Sequence, residues 1–208
     1  MCRKLILLIC VVLLPGLAGS ARAALPAGWS NQDIGPVATA GSADESGGTW
    51  TLTASGADIW GNADQFHYAY APLRGDGQIV ARVATITGGT NGWRKAGLMI
   101  RETLNDNSRF AYMIMRSDAN GGSFGYRPAT GGGCTSYDNA DPDIPNWVRL
   151  VRQANWISAW TSTNGTAWTQ RGAYIYIDMA ADAYVGQAPL CLTCDSASEP
   201  RGCQARSA

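Results

Sequence analysis

The strongest constraint on this chain is its punctuation: short runs of Val, Ile, Thr, Tyr and Trp broken by Gly, Asn and Asp clusters. Such runs suit strands, and such clusters supply turns. No segment carries an apolar stripe at helical spacing. Strands are predicted over Trp50–Ala54, Gln65–Tyr70, Gln78–Thr87, Lys95–Glu102, Arg109–Arg116, Ser123–Arg127, Asn146–Gln153, Trp156–Thr161 and Tyr184–Gly186. Ala154-Asn155 should join two of them as a hairpin. Asn164-Gly165 reads as a type I′ turn, which needs positive φ at both central residues. Strands at this spacing predict an all-β antiparallel fold, a sandwich or a jelly roll, rather than a parallel α/β fold.

The N-terminus predicts export. Arg3 and Lys4 precede the apolar run Leu5–Leu14, Pro15-Gly16 break it, and Ala21-Arg22-Ala23 offers small residues for cleavage. Residues 1–23 are therefore read as a signal peptide and the product as secreted, extracellular or periplasmic. The full chain has 16 basic and 16 acidic residues, and losing Arg3, Lys4 and Arg22 leaves it acidic by about three charges. That balance, with no basic run, argues against nucleic-acid binding. No second apolar stretch would span a membrane after cleavage. Cys134, Cys191, Cys194 and Cys203 remain, and an exported protein can pair them in three ways.

Eight motifs in order carry a resemblance: Leu25-Pro-Ala-Gly-Trp29, Asp33-Ile-Gly35, Gly56-Ala-Asp-Ile-Trp-Gly61, Ala63-Asp-Gln-Phe-His-Tyr68, Gly75-Asp-Gly77, Ala96-Gly-Leu-Met-Ile-Arg101, Trp147-Val-Arg-Leu-Val-Arg152 and Asn164-Gly-Thr-Ala-Trp168. Together they resemble secreted bacterial concanavalin-A-like (lectin/glucanase-type) jelly-roll domains, often accessory modules beside carbohydrate-active enzymes. The resemblance implies a two-sheet fold and a carbohydrate role. It covers residues 24–186. Residues 187–208 depart from it, with Pro189 hostile to a central strand. They are expected to form an atypical disordered tail, as a truncated or frameshifted end would, leaving a strand-sized gap in one sheet.

The eight Trp residues are the most suggestive binding feature. Indole faces stack on apolar faces of sugars, and polar groups then take the hydroxyls. Trp50 and Trp147 are expected in the core. Trp60 and Trp93 sit in Gly/Asn-rich loops and are the candidate sugar platforms, with Arg101 and Asp64 as polar partners. Arg101, Arg116, Arg127 and Arg149 recur at strand ends and could form a polar row on one sheet face. Asp58, Asn62 and Asp64 are closely spaced oxygen donors, a candidate structural calcium site; no other cofactor is expected.

Glycoside hydrolysis needs two poised carboxyl groups, and no strand carries a Glu-x-Asp-x-x-Glu pattern. The leading expectation is a secreted non-catalytic module that binds a polysaccharide or other glycan. One alternative is a glycoside hydrolase or polysaccharide lyase using Asp64, Glu102 or the lone histidine, His67. The other is a structural or adhesive exported domain without a small ligand.

Overall fold

A computed structural model describes residues 25–88, 94–117, 121–139, 144–190 and 203–207. Residues 1–23, on which the expected signal peptide falls, Trp93, Cys191 and Cys194 lie outside them. Fourteen strands run in chain order: β1 (Ser30–Ile34), β2 (Ser42–Ser46), β3 (Thr49–Ala54), β4 (Phe66–Arg74), β5 (Gly77–Thr87), β6 (Lys95–Arg101), β7 (Phe110–Arg116), β8 (Gly122–Arg127), β9 (Thr135–Asn139), β10 (Asn146–Gln153), β11 (Trp156–Ser162), β12 (Thr169–Tyr176), β13 (Asp182–Gln187) and β14 (Cys203–Ser207). They form two antiparallel sheets, ordered β1-β4-β13-β6-β7-β8-β9 and β12-β11-β10-β5-β14-β3-β2. Among the described residues no helix is long and apolar enough to cross a membrane.

Alternation explains the core. On β6, Ala96, Leu98 and Ile100 point between the sheets. They meet Ala111 and Met113 of β7, Val148 and Leu150 of β10, and Ile157 and Ala159 of β11. Side chains one residue out of phase point to the opposite face. There a second apolar cluster forms on the first sheet, with Met99, Phe110, Tyr112 and Ile114 meeting Phe66 and Tyr68 of β4 and Ile59 of the 55–65 loop. One sheet thus carries apolar side chains on both faces, which is why β6 and β7 are buried along their whole lengths.

The 154–155 hairpin forms as expected, with Gln153 opposite Trp156 and Ala154 at positive φ. Asn164-Gly165 differs. Gly165 has φ 76° while Asn164 does not reach positive φ, so the turn is not type I′. Instead Asn164 Oδ1 accepts the N–H groups of Thr166 and Ala167, both at 2.9 Å, and closes a wider loop. Trp50 packs partly buried beside Leu52 and Ala43. Trp147 corrects the core expectation: it pairs with Arg82 and Ser162, out of phase with buried Val148, and its indole lies under Gly165.

The C-terminal expectation also changes. The domain does not stop at Gly186. Beyond β13 the backbone keeps pairing with β6: Ala188 N–H donates to Gly97 O (2.9 Å), and Leu190 and Lys95 exchange both bonds. Ala188 and Leu190 are buried. Pro189 fits because the two residues that donate to β6 are its neighbours, so its missing N–H lies on the other side. β14 then lies between β3 and β5, filling the expected gap.

Candidate functional site

The outer face of the first sheet carries the chemistry. Register places Lys95 opposite Arg116, Met99 opposite Tyr112 and Arg101 opposite Phe110. β8 adds Ser123, Gly125 and Arg127 to this face, and β9 adds Ser136 and Asp138. The 55–65 loop folds over part of it. Gln65 N–H donates to Asp58 O (2.8 Å), and Gly61 sits at the tip with φ 36°.

A buried ion cluster holds that loop down. The Asp64 carboxylate receives Arg127 through both oxygens, Oδ1 at 2.7 Å and Oδ2 at 2.9 Å, and Arg101 at 3.4 Å. All three side chains are sealed from solvent. The guanidiniums lie over Phe66 and Phe110. Arg127 also donates to the carbonyls of Trp60 (2.7 Å), Gly61 (3.0 Å), Ser108 (3.1 Å) and Gly132 (3.0 Å). Arg101 donates to Thr103 O at 2.7 Å and to Asn105 O. Three loops are therefore gathered on one planar, five-donor group. Burial raises the Asp64 carboxyl, opposed by the two guanidiniums, and burial likewise lowers Arg101.

This corrects two expected ligand residues. Arg101 and Asp64 spend their donors and acceptors on each other and on backbone, so they shape the site from beneath and do not reach a ligand. The expected calcium ligands do not converge either. Asp64 is buried and engaged, Asn62 is exposed, and Asp58 Oδ1 takes Lys95 Nζ and its neighbour Ile59 N–H, both at 2.7 Å. Both carboxylates already face cations, which does not fit a hard-cation site.

Beside the loop lies an open cleft of about 370 Å³, lined by Asp58, Trp60, Lys95, Tyr112, Ile114, Arg116, Ser123, Ser136 and Asp138. The Trp60 indole is exposed above it. Tyr112 forms the floor because Gly125 opposite has no side chain; a Cβ there would lie 2.3 Å from the ring. Burial pushes the Tyr112 hydroxyl well above its usual range, and Ser123 hydrogen-bonds it. Lys95 pairs with Asp58 at 2.7 Å and Arg116 with Asp138 at 3.7 Å. Of these lining residues the sequence reading singled out Trp60, Asp58 and Arg116. Tyr112, Ser123, Ser136 and Asp138 were missed, although the period that turned Arg101 outward also applies to β7, β8 and β9.

The polar arginine row is only partly formed. Arg101, Arg116 and Arg127 share this face, but Arg149 belongs to the other sheet, stacked between Trp160 (4.9 Å) and Trp168 (4.4 Å). The three suggested catalytic groups do not assemble. His67 is buried, with Nδ1 2.7 Å from Asp33 and Nε2 3.0 Å from Asn31. Glu102 accepts Ala180 N–H (2.9 Å) and lines a separate cavity with Arg74, Asp182 and Tyr184. Among the described residues Cys134 is a free thiol, beside Gly61 O, and burial pushes it up to about 11.

Solved structures share this architecture. A functionally unknown protein from Saccharomyces cerevisiae matches with a TM-score of 0.56 and 12% identity, covering 86% of this chain and 92% of that one. A family 16 glycoside hydrolase endo-glucanase from Bacteroides ovatus matches at 0.52 and 11%, covering 86% and 91%. The fold is a concanavalin-A-like jelly roll. A xylan β-1,4-xylosidase from Bacillus halodurans matches at 0.53 and 12%, the match covering 79% of this chain and 33% of that one. No protein-family model and no curated protein sequence matches the chain.

Proposed function

We propose that this chain is a secreted, non-catalytic glycan-binding module that seats a sugar in the cleft under Trp60. The observation that carries the reading is an exposed Trp60, its backbone carbonyl held by Arg127, in the lining of a cleft shared with Tyr112, Ser123, Ser136 and Asp138. An aromatic wall with hydroxyl and carboxylate groups around it is what a pyranose ring needs, apolar face and hydroxyl edge together. The backbone bonds from Arg127 hold the platform without a ligand, so less ordering is left for binding to offset. The glucanase of the same fold gives further support for a polysaccharide ligand.

The lining also favours binding over hydrolysis. Its two carboxylates, Asp58 and Asp138, each sit against a cation, and β6 and β7 place Lys95, Tyr112, Ile114 and Arg116 there. Hydrolysis needs an acid and a base flanking one bond. The test is retention on a panel of insoluble and soluble polysaccharides, run beside a reducing-end assay on the same panel. Retention without release is expected. Release of reducing ends, or no retention by folded protein, removes the reading.

A further inference from the structure

The two ion pairs of the cleft are not symmetric, and the asymmetry bears on which glycans can enter. This inference rests on the glycan-binding reading above. Lys95 and Arg116 lie side by side on β6 and β7 and are sunk into the wall, with side chains only 8% and 9% exposed. Their partners form the exposed half of each pair: Asp58 is 40% exposed and Asp138 56%. An approaching ligand therefore meets carboxylates first and cations behind them. To reach Lys95, an anionic group would have to displace Asp58 from its 2.7 Å bond and leave that carboxylate beside itself. A hydroxyl group faces no such exchange, because it can donate to the free carboxylate lone pairs.

We propose that the cleft selects glycans without acidic groups, and that Asp58 and Asp138 are its specificity-determining residues. Asp138 is the better test. It is more exposed and its contact with Arg116 is long at 3.7 Å, whereas Asp58 holds Lys95 and the loop backbone and its loss would disturb the fold.

The experiment is affinity electrophoresis of the full chain through gels containing cellulose ether, laminarin or xylan, each beside its carboxymethyl derivative of the same backbone. The neutral member of the retained pair should bind about tenfold more tightly at low salt, and the ratio should shrink as salt rises. Asp138→Asn should narrow the ratio to about threefold, and Asp138→Lys should abolish or invert it, with near-ultraviolet circular dichroism unchanged in both. Equal or better binding of the carboxymethyl polymer by the native chain overturns the selection while leaving glycan binding intact. A ratio unmoved by both variants overturns the role of Asp138. No retention on any polymer overturns the glycan-binding reading and this inference with it.

Discussion

Replacing Asp64 with Asn should destabilise the protein far more than any surface ion pair could. Asp64 is sealed from solvent between Arg101 and Arg127, with three side-chain contacts at 2.7, 2.9 and 3.4 Å. Asparagine keeps one acceptor but turns an amide donor toward a guanidinium. Two buried cations then face no anion. Removing one partner of a buried pair costs about 3–5 kcal/mol, against a total stability of about 5–15 kcal/mol for a domain. With a urea slope near 2 kcal/mol per molar, the unfolding midpoint should fall by about 2 M. Arg74→Ala is the control, because Arg74 and Asp182 pair at 3.4 Å with side chains 87% and 82% exposed; its midpoint should stay within measurement error. Tryptophan fluorescence follows both transitions. A fall below about 0.5 M for Asp64→Asn would show that the cluster does not hold the loops together, and the account of why Trp60 is fixed would fail with it.

Gly125→Ala should move the cleft floor, since its Cβ would lie 2.3–2.6 Å from the far end of the Tyr112 ring; a loss of about 1–3 kcal/mol is expected, with glycan binding weakened alongside, and an unchanged midpoint would contradict it. Cys134 should resist alkylation at pH 8, because a thiol pushed up to about 11 holds little thiolate there. Peptide mapping should show it reacting on the order of tens of times more slowly than a free cysteine, and labelling at the free rate would contradict its burial. Tyr112 should not ionise in a spectrophotometric titration through pH 10 while the protein stays folded, since burial keeps its hydroxyl protonated.

The interior strands were legible in the sequence, and the edges were not. Nine predicted strands correspond to β3, β4, β5, β6, β7, β8, β10, β11 and β13. Four of the five missed, β1, β9, β12 and β2, are the outermost strands of the two sheets. An edge strand packs less and carries polar residues to discourage further pairing, so Ser30–Ile34 and Thr169–Tyr176 lack clean alternation; most of β1 and much of β12 is exposed. The fifth, β14, is central, but Cys-Gln-Ala-Arg-Ser shows no apolar period, and only pairing with β3 and β5 reveals it. At the site, type and spacing found Trp60 and the loop acids. They could not tell that Asp64 would be neutralised from below by Arg127, which lies 63 positions away. A close pair of acids in a loop looks the same whether it waits for a cation or already has one.

The central claim is that the cleft under Trp60 is the glycan site, and a paired tryptophan comparison tests it most directly. Trp60 lies over the cleft, while Trp156, also exposed, lies against Tyr176 at the edge of the other sheet. Calorimetric titration with the polysaccharide that retains the native chain should show Trp60→Ala weakened by about tenfold or more, as for an aromatic hot spot, with Trp156→Ala unchanged. Loss of binding in Trp156→Ala with full binding in Trp60→Ala would place the site on the opposite face and contradict the account.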